Sequence, residues 1–336
     1  MVKAEVPPIR IRDVAALAGV SPATVSRVLN MAPSVNSADR ARVLTAVKAL
    51  GYRPNRLAQN LRRQKTEMIG VVVSDIDNPH FATMVRALEG AAYSLGYRVL
   101  LCNTDGQAEK QRSYLEVLAA ERVLGVVLSP SNPAGDEIGA LLDLRIPVVA
   151  FDRPVTDPRA DAVVADNRGA AVTATKLLIN AGHKHIGFLS NPDLFTVSQR
   201  LAGYEDTMAA VGLRPCSLPG YSRIEEGASA TSKLLDSSEG ITALIAGNNS
   251  MALGALRALH ARKIKVPEEM ALVAFDDPIW AAVANPPLTV LAQPIEQMAE
   301  SMVDLLQERI HGNRLEPRRL VVDFELRVRE SCGTAQ

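Results

Sequence analysis

The stretch from Ile11 to Asn30, IRDVAALAGVSPATVSRVLN, decides how the rest of the chain is read. Val14, Leu17 and Ala18 recur at helical spacing, the pattern stops at Gly19, and it resumes after Ser21 with Val25, Val28 and Leu29. Gly19 suits a left-handed turn and Val20 can fill the gap between two helices. Ser21 is a good N-cap, and Pro22 fits a first helical turn, where no amide donor is needed. The spacing therefore predicts two short helices and a tight turn, a helix-turn-helix. With Val25, Val28 and Leu29 turned inward, the second helix shows Ala23, Ser26, Arg27 and Asn30 on its outer face. Small and polar residues around one arginine make a face that can lie in a major groove.

Downstream, Val43, Leu44, Val47 and Leu50 predict a third helix from about Ser37 to Gly51. It closes a small core with Val14, Leu17, Val25 and Val28 and leaves Arg40, Arg42 and Lys48 on the surface. Charge follows the same division. Residues 1–65 hold 12 Lys plus Arg against 3 Asp plus Glu, and the remainder of the 336 residues holds 25 against 34, so a +9 head precedes a −9 body. That imbalance points to a polyanion as partner of the head and keeps the body off the same polyanion. The length allows two or three domains, and 47% hydrophobic residues suffice for packed cores.

Cys102, Cys216 and Cys332 are too few and too scattered for a disulfide framework or a metal site, and read as reduced thiols of a cytoplasmic protein. Neither a signal sequence nor a membrane span is expected. His183 and His185 bring no third ligand with them, so no metal is expected either. Enzyme readings find little support. The turn after the first strand reads SDIDNPHF, without the glycines of a dinucleotide site, no phosphate loop occurs, and no serine sits in a nucleophile elbow. No catalytic residue and no cofactor is expected. A stand-alone secreted binding protein would account for the body but not for the basic head.

Residues 53–66, RPNRLAQNLRRQKT, are short, basic and polar, with Asn55 placed to cap a helix from Arg56 to about Arg62. So short a helix is unstable alone and needs a surface to fold against. From Met68 the texture changes. IGVVVSD, VLLCNTD, GVVLSPS, PVVAFDR, HIGFLSN, ALIAGNN and ALVAFDD are apolar runs that end in polar residues, separated by segments of helical period. This predicts α/β structure with parallel sheets, and the pattern occurs twice, over about 67–165 and 166–293. Ligands of such sheets bind at the carboxyl ends of the strands. There the sequence gathers Asp75, His80, Phe81, Ser129, Asp152, Asn248, Asp276 and Trp280. Arg153 reads either as a ligand contact or as a lobe-to-lobe ion pair with Asp152. Asp75, Asn78 and Asn249 also read as helix caps, and Trp280 also reads as core. Asp acceptors mixed with Arg donors suit a polyhydroxylated ligand such as a sugar.

DVAALAGVSPATVSRVLN, together with Val35, GYRPN at Gly51 to Asn55, and Leu61, resembles the DNA-binding segment of the lac repressor (LacI/GalR) family of bacterial transcription regulators. The resemblance implies a helix-turn-helix head over residues 1–52 and a hinge helix over 53–66. The body, 67–336, would bind effector and dimerise like a periplasmic binding protein. Three crossovers would join lobe 1 (about 67–165 and 294–323) to lobe 2 (about 166–293 and 324–331). It implies a repressor bound to a pseudo-palindromic double-stranded operator through Ser21, Pro22, Ala23, Thr24, Ser26, Arg27, Asn30, Asn36 and Tyr52. Hinge residues Asn55, Arg56, Leu61 and Arg62 would pair with a dimer mate in the minor groove, Leu61 acting as the wedge that unstacks a base step. In the cleft it implies that Arg200, Asn248 and Asp276 clamp effector hydroxyls while Phe81 or Trp280 stacks on the ring. Asn249 departs from the family's commoner Asn-Asp pair. With no heptad segment after the last strand, a homodimer is expected.

Overall fold

The computed structural model describes residues 9–29, 34–52, 67–131, 138–191, 193–219, 223–237, 240–313 and 316–333. They fall into two compact units, Met1–Thr66 and Glu67–Gln336. The expected hinge helix, with Asn55, Arg56, Leu61 and Arg62, and also Asn30, lies outside the described residues.

The head is built from α1 (Ile11–Ala18), α2 (Pro22–Leu29) and α3 (Ser37–Leu50). Gly19 ends α1 at φ 63°, the left-handed conformation expected of it, and its N–H reaches back to the carbonyl of Ala16. Val14, Ala15, Ala18, Val25, Val28, Val43 and Ala46 form the core, with Val20 packed at its edge. Two expected core residues are not in it. Leu17 is 56% exposed and Leu44 is 52% exposed. Ala15 and Ala46 lie in the core beside Val14 and Val43, while Leu17 and Leu44 fall on the outer faces of α1 and α3.

The body's elements are β1 (Met68–Val73), α4 (Pro79–Ser94), β2 (Arg98–Asn103), α5 (Ala108–Ala120), β3 (Val126–Leu128), α6 (Gly139–Asp143), β4 (Val148–Phe151) and β5 (Asp161–Ala165), then α7 (Asn167–Asn180), β6 (Ile186–Ser190), α8 (Phe195–Ala210), β7 (Cys216–Pro219), α9 (Ile224–Asp236), β8 (Ala243–Ala246), α10 (Asn249–Ala261), β9 (Ala271–Phe275), α11 (Ile279–Val283), β10 (Thr289–Ala292), α12 (Ile295–Ile310), β11 (Arg319–Val322) and β12 (Glu325–Arg327). They make two six-stranded sheets, in the orders β11-β5-β4-β3-β1-β2 and β12-β10-β9-β8-β6-β7. Pairing is parallel throughout, except that β12 runs antiparallel to β10.

The chain passes between sheets after β5, β10 and β11, which is three crossovers. Central strands covered by helices on both faces are apolar at nearly every position, as in VVAF of β4 and ALVAF of β9. β2, at an edge, is half exposed. The two sheets repeat each other closely enough that β4 and β9 hold the same place in the order. Both carry the sequence AFD at their ends, residues 150–152 and 274–276. No described helix is long and apolar enough to cross a membrane.

Candidate functional site

In the head, Pro22, Ala23 and Arg27 are exposed on α2, and Thr24 and Ser26 are partly so. Ser21 caps the helix. Its Oγ accepts the Thr24 N–H at 3.1 Å and lies 2.9 Å from the Thr24 hydroxyl. Asn36 is likewise a cap. Its Oδ1 accepts the Asp39 N–H at 2.7 Å and its amide donates to the Asp39 carboxylate, which also pairs with Arg42. That guanidinium, and then Asn36, hold the Asp39 carboxyl below its ordinary range. Tyr52 packs against the head's core.

In the body, the carboxyl ends of both sheets open on a cavity of about 490 Å³. Lobe 1 contributes Ser74, Asp75, Asn78, His80, Phe81, Asp105, Asp152 and Arg153, and lobe 2 contributes Asn191, Thr196, Arg200, Arg223, Asn248 and Asp276. Gln293, on a crossover, also lines the wall, as do the apolar Leu194 and Val197 of lobe 2. Asp152 and Asp276 are mirrored. Each follows the third strand of its sheet at a positive φ, 65° and 67°, which turns the side chain out of the strand direction at a small backbone cost that Asp tolerates better than most residues.

Arg200 is almost fully buried. Its Nε donates to Asn167 Oδ1 at 2.7 Å and its Nη1 to the carbonyl of Gly247 at 2.7 Å, while the guanidinium lies 4.2 Å from the centre of the Phe275 ring. Gly247 can only be glycine here, since a Cβ would stand 2.5 Å from the Leu189 carbonyl. Burial draws the Arg200 pKa down, and the carboxylates of Asp276 and Asp152 oppose that. The Asp276 carboxylate accepts from Gln293 Nε2 at 2.9 Å and faces Asn249 Nδ2 at 3.4 Å. Asn248 caps α10 through Met251 N–H at 2.8 Å and still reaches the cavity wall. Asn249 crosses between lobes, donating to Asn78 Oδ1 at 2.8 Å.

Three expectations change. Ser129 does not reach the cavity: it is fully buried behind Ser74, to which its hydroxyl bonds at 3.2 Å. Trp280 does not line it either. It sits on α11 against the lobe 2 core, because the left-handed turn at Asp276 carries the following chain away from the strand ends. Arg153 pairs with Asp152 at 3.1 Å, but both belong to lobe 1, so this is no bridge between lobes. Its Nη2 lies 3.4 Å from Ser74 and the guanidinium opens on the cavity. His183 meets the Thr242 hydroxyl at 2.9 Å. The sequence reading missed Gln293 and Asn191, which follow strands as the other site residues do. Arg223, exposed at the start of α9, carries no sequence signal.

The profile "Bacterial regulatory proteins, lacI family" matches residues 10–55, and that of the periplasmic binding protein-like domain matches residues 175–332. The HTH-type transcriptional repressor PurR of Photobacterium profundum is 32% identical over 330 residues, covering 96% of this chain and 98% of that protein. The chain belongs to the lacI family. This LacI-family protein is therefore a DNA-binding transcription regulator with a ligand-binding body. Its fold matches the lac repressor dimer bound to operator and the anti-inducer ONPF at a TM-score of 0.86 and 27% identity, covering 96% of this chain and 99% of that one. A transcriptional regulator CelR–cellobiose complex matches at 0.71 and 34% identity, with 96% and 99% covered.

Proposed function

We propose that this regulator is a repressor that binds a pseudo-palindromic operator as a homodimer, and that a polyhydroxylated small molecule, a sugar or sugar derivative, sets its operator affinity from the cavity between the lobes. The lining carries the reading. Carboxylates (Asp75, Asp152, Asp276), guanidiniums (Arg153, Arg200) and amides (Asn248, Gln293) from both lobes converge on one space. Hydroxyls both donate and accept, so a polyol can satisfy acceptors and donors that alternate around it. The mechanism is linkage: a ligand touching both lobes favours one lobe arrangement, and that arrangement changes the free energy of bringing two heads and two hinges onto DNA.

On the DNA side, Arg27 is the long donor of the exposed α2 face and reads a base edge, with Ala23 beside it against a thymine methyl. Residues 53–66 act as the hinge, with Asn55 as helix cap, Arg56, Arg62 and Arg63 near phosphates and Leu61 as minor-groove wedge. The family resemblance supports those roles. For the dimer, α11 offers a face. Ile279 is 90% exposed and Val283, one helical turn on, is 79% exposed, a pair of neighbouring apolar side chains for a second copy to cover.

A second reading follows from the PurR relatives, whose name suggests a purine effector. Phe81 is the one aromatic hydrocarbon ring among the described lining residues, against the several carboxylate, guanidinium and amide groups that suit hydroxyls. A thermal-shift screen of the full chain against monosaccharides, disaccharides and purine bases tests the two. A melting increase with sugars and none with purines is expected, and the reverse would favour the purine.

A further inference from the structure

Buried polar atoms are almost always hydrogen-bonded, and an exception at a cavity wall points to what fills the cavity. His80 is such an exception. It is the second residue of α4, held by its own N–H donating to Asn78 Oδ1 at 3.0 Å and by edge-on packing against Phe81 at 5.2 Å. Its side chain is only 5% exposed, and among the described residues neither Nδ1 nor Nε2 has a hydrogen-bond partner. Nδ1 lies 3.8 Å from Oδ1 of Asp276, on the opposite lobe.

That separation is too long for a hydrogen bond and short enough for one atom to touch both groups. An oxygen about 2.8–2.9 Å from each would bridge them; Nδ1 is closed to solvent as it stands, so a small turn of the ring toward the cavity receives it. The facing carboxylate favours the tautomer with its proton on Nδ1. Asp276 Oδ1 already accepts from Gln293 and keeps one lone pair, so the bridging atom must donate to it while accepting from Nδ1–H. A carbonyl cannot donate, and a ring N–H cannot accept. A hydroxyl does both.

Resting on the effector reading above, we propose that His80 is the specificity-determining residue of the cleft: with Asp276 it receives a single hydroxyl of the ligand, and so selects ligands that carry a hydroxyl at that position over their deoxy counterparts. The same hydroxyl ties lobe 1 to lobe 2, because His80 stands on one and Asp276 on the other.

The test is calorimetry on the full chain with D-ribose, D-xylose, D-glucose, D-galactose and cellobiose, followed by every monodeoxy analogue of the tightest binder. One deoxy analogue should bind the wild type about ten- to a hundredfold more weakly than its parent. His80→Phe, which keeps a ring of similar size, should bind the parent several-fold more weakly and distinguish it less sharply from that analogue, the remaining preference coming from Asp276. His80→Gln, which keeps a polar atom, should recover part of the difference and serves if the phenylalanine variant melts early. If His80→Phe weakens parent and every deoxy analogue alike, or discriminates as the wild type does, the role of His80 is overturned while the effector reading stands. If the wild type binds none of the sugars, the effector reading falls and this inference falls with it.

Discussion

Arg200→Ala separates the structural from the ligand-facing share of the cleft's most buried cation. The side chain ties Asn167, at the start of α7, to Gly247, after β8, and covers Phe275 at the end of β9. Truncation leaves two acceptors without their charged donor, about 1.5–3 kcal/mol each if they stay dry. It also removes a cation–π contact of about 0.5–2 kcal/mol. Part of this is offset, because the variant no longer buries a charge, and the depressed Arg200 pKa shows that burial opposes that charge. The net loss expected for breaking such a buried arrangement is about 3–5 kcal/mol. At about 2 °C per kcal/mol for a body this large, its melting transition should fall by roughly 6–10 °C. Fluorescence of Trp280, the chain's only tryptophan, follows that transition from within lobe 2. Arg200→Lys should fall about half as far, keeping the charge but not the fork. An unchanged melting temperature in Arg200→Ala would refute the reasoning and leave the residue a ligand contact alone.

Arg27→Ala should weaken operator binding by about 1–3 kcal/mol and relax one position of each half-site; an unaltered preference in a binding-selection experiment would count against base readout by this residue. Ile279→Asp combined with Val283→Asp should turn the dimer into a monomer in light scattering and make its melting temperature independent of protein concentration, whereas a dimer of unchanged mass would place the interface elsewhere. Burial alone would raise the Asp277 carboxyl, but hydrogen bonds from Arg329 and then Arg327 outweigh it and hold the pKa below its ordinary value. Stability from this cluster is therefore full above an unfolded pKa of about 3.9 and lost as pH falls through the lower folded value. Asp277→Asn should accordingly be less stable than wild type at neutral pH, with the gap closing on acidification; a gap independent of pH would show that the charge is not what matters.

How much of this could be read from residues alone varied with how local the cause was. The head was legible because Gly19, Ser21 and Pro22 act within one turn of themselves, and the structure uses the first two as left-handed terminus and cap. The inward choice of Ala15 over Leu17 was not, because it depends on which face α1 turns to the rest of the head. The buried central strands announced themselves as unbroken apolar runs. β5 and β10, which open on the polar Asp161 and Thr289, did not, nor did β7, a half-buried edge ending in Pro219. In the cleft, strand-end position led to four residues that line the cavity, Asp75, Asp152, Asn248 and Asp276. It failed for Ser129, whose hydroxyl turns to Ser74, and for Trp280, which the turn at Asp276 diverts. The His80–Asp276 approach joins residues almost two hundred positions apart, and only the apposition of the two lobes brings them together.

The central claim, that a ligand in the interlobe cavity sets operator affinity, meets its most direct test in fluorescence anisotropy of a selected operator fragment, with and without the sugar that gives the largest thermal shift. Wild type and Asp276→Ala should bind the fragment equally without sugar. With sugar, the operator affinity of the wild type should change by about 5- to 150-fold, the usual range for coupling between two sites, and that of Asp276→Ala should not move. The sign of the wild-type change tells inducer from corepressor. An equal shift in both proteins, or none in the wild type under saturating sugar, would contradict the account.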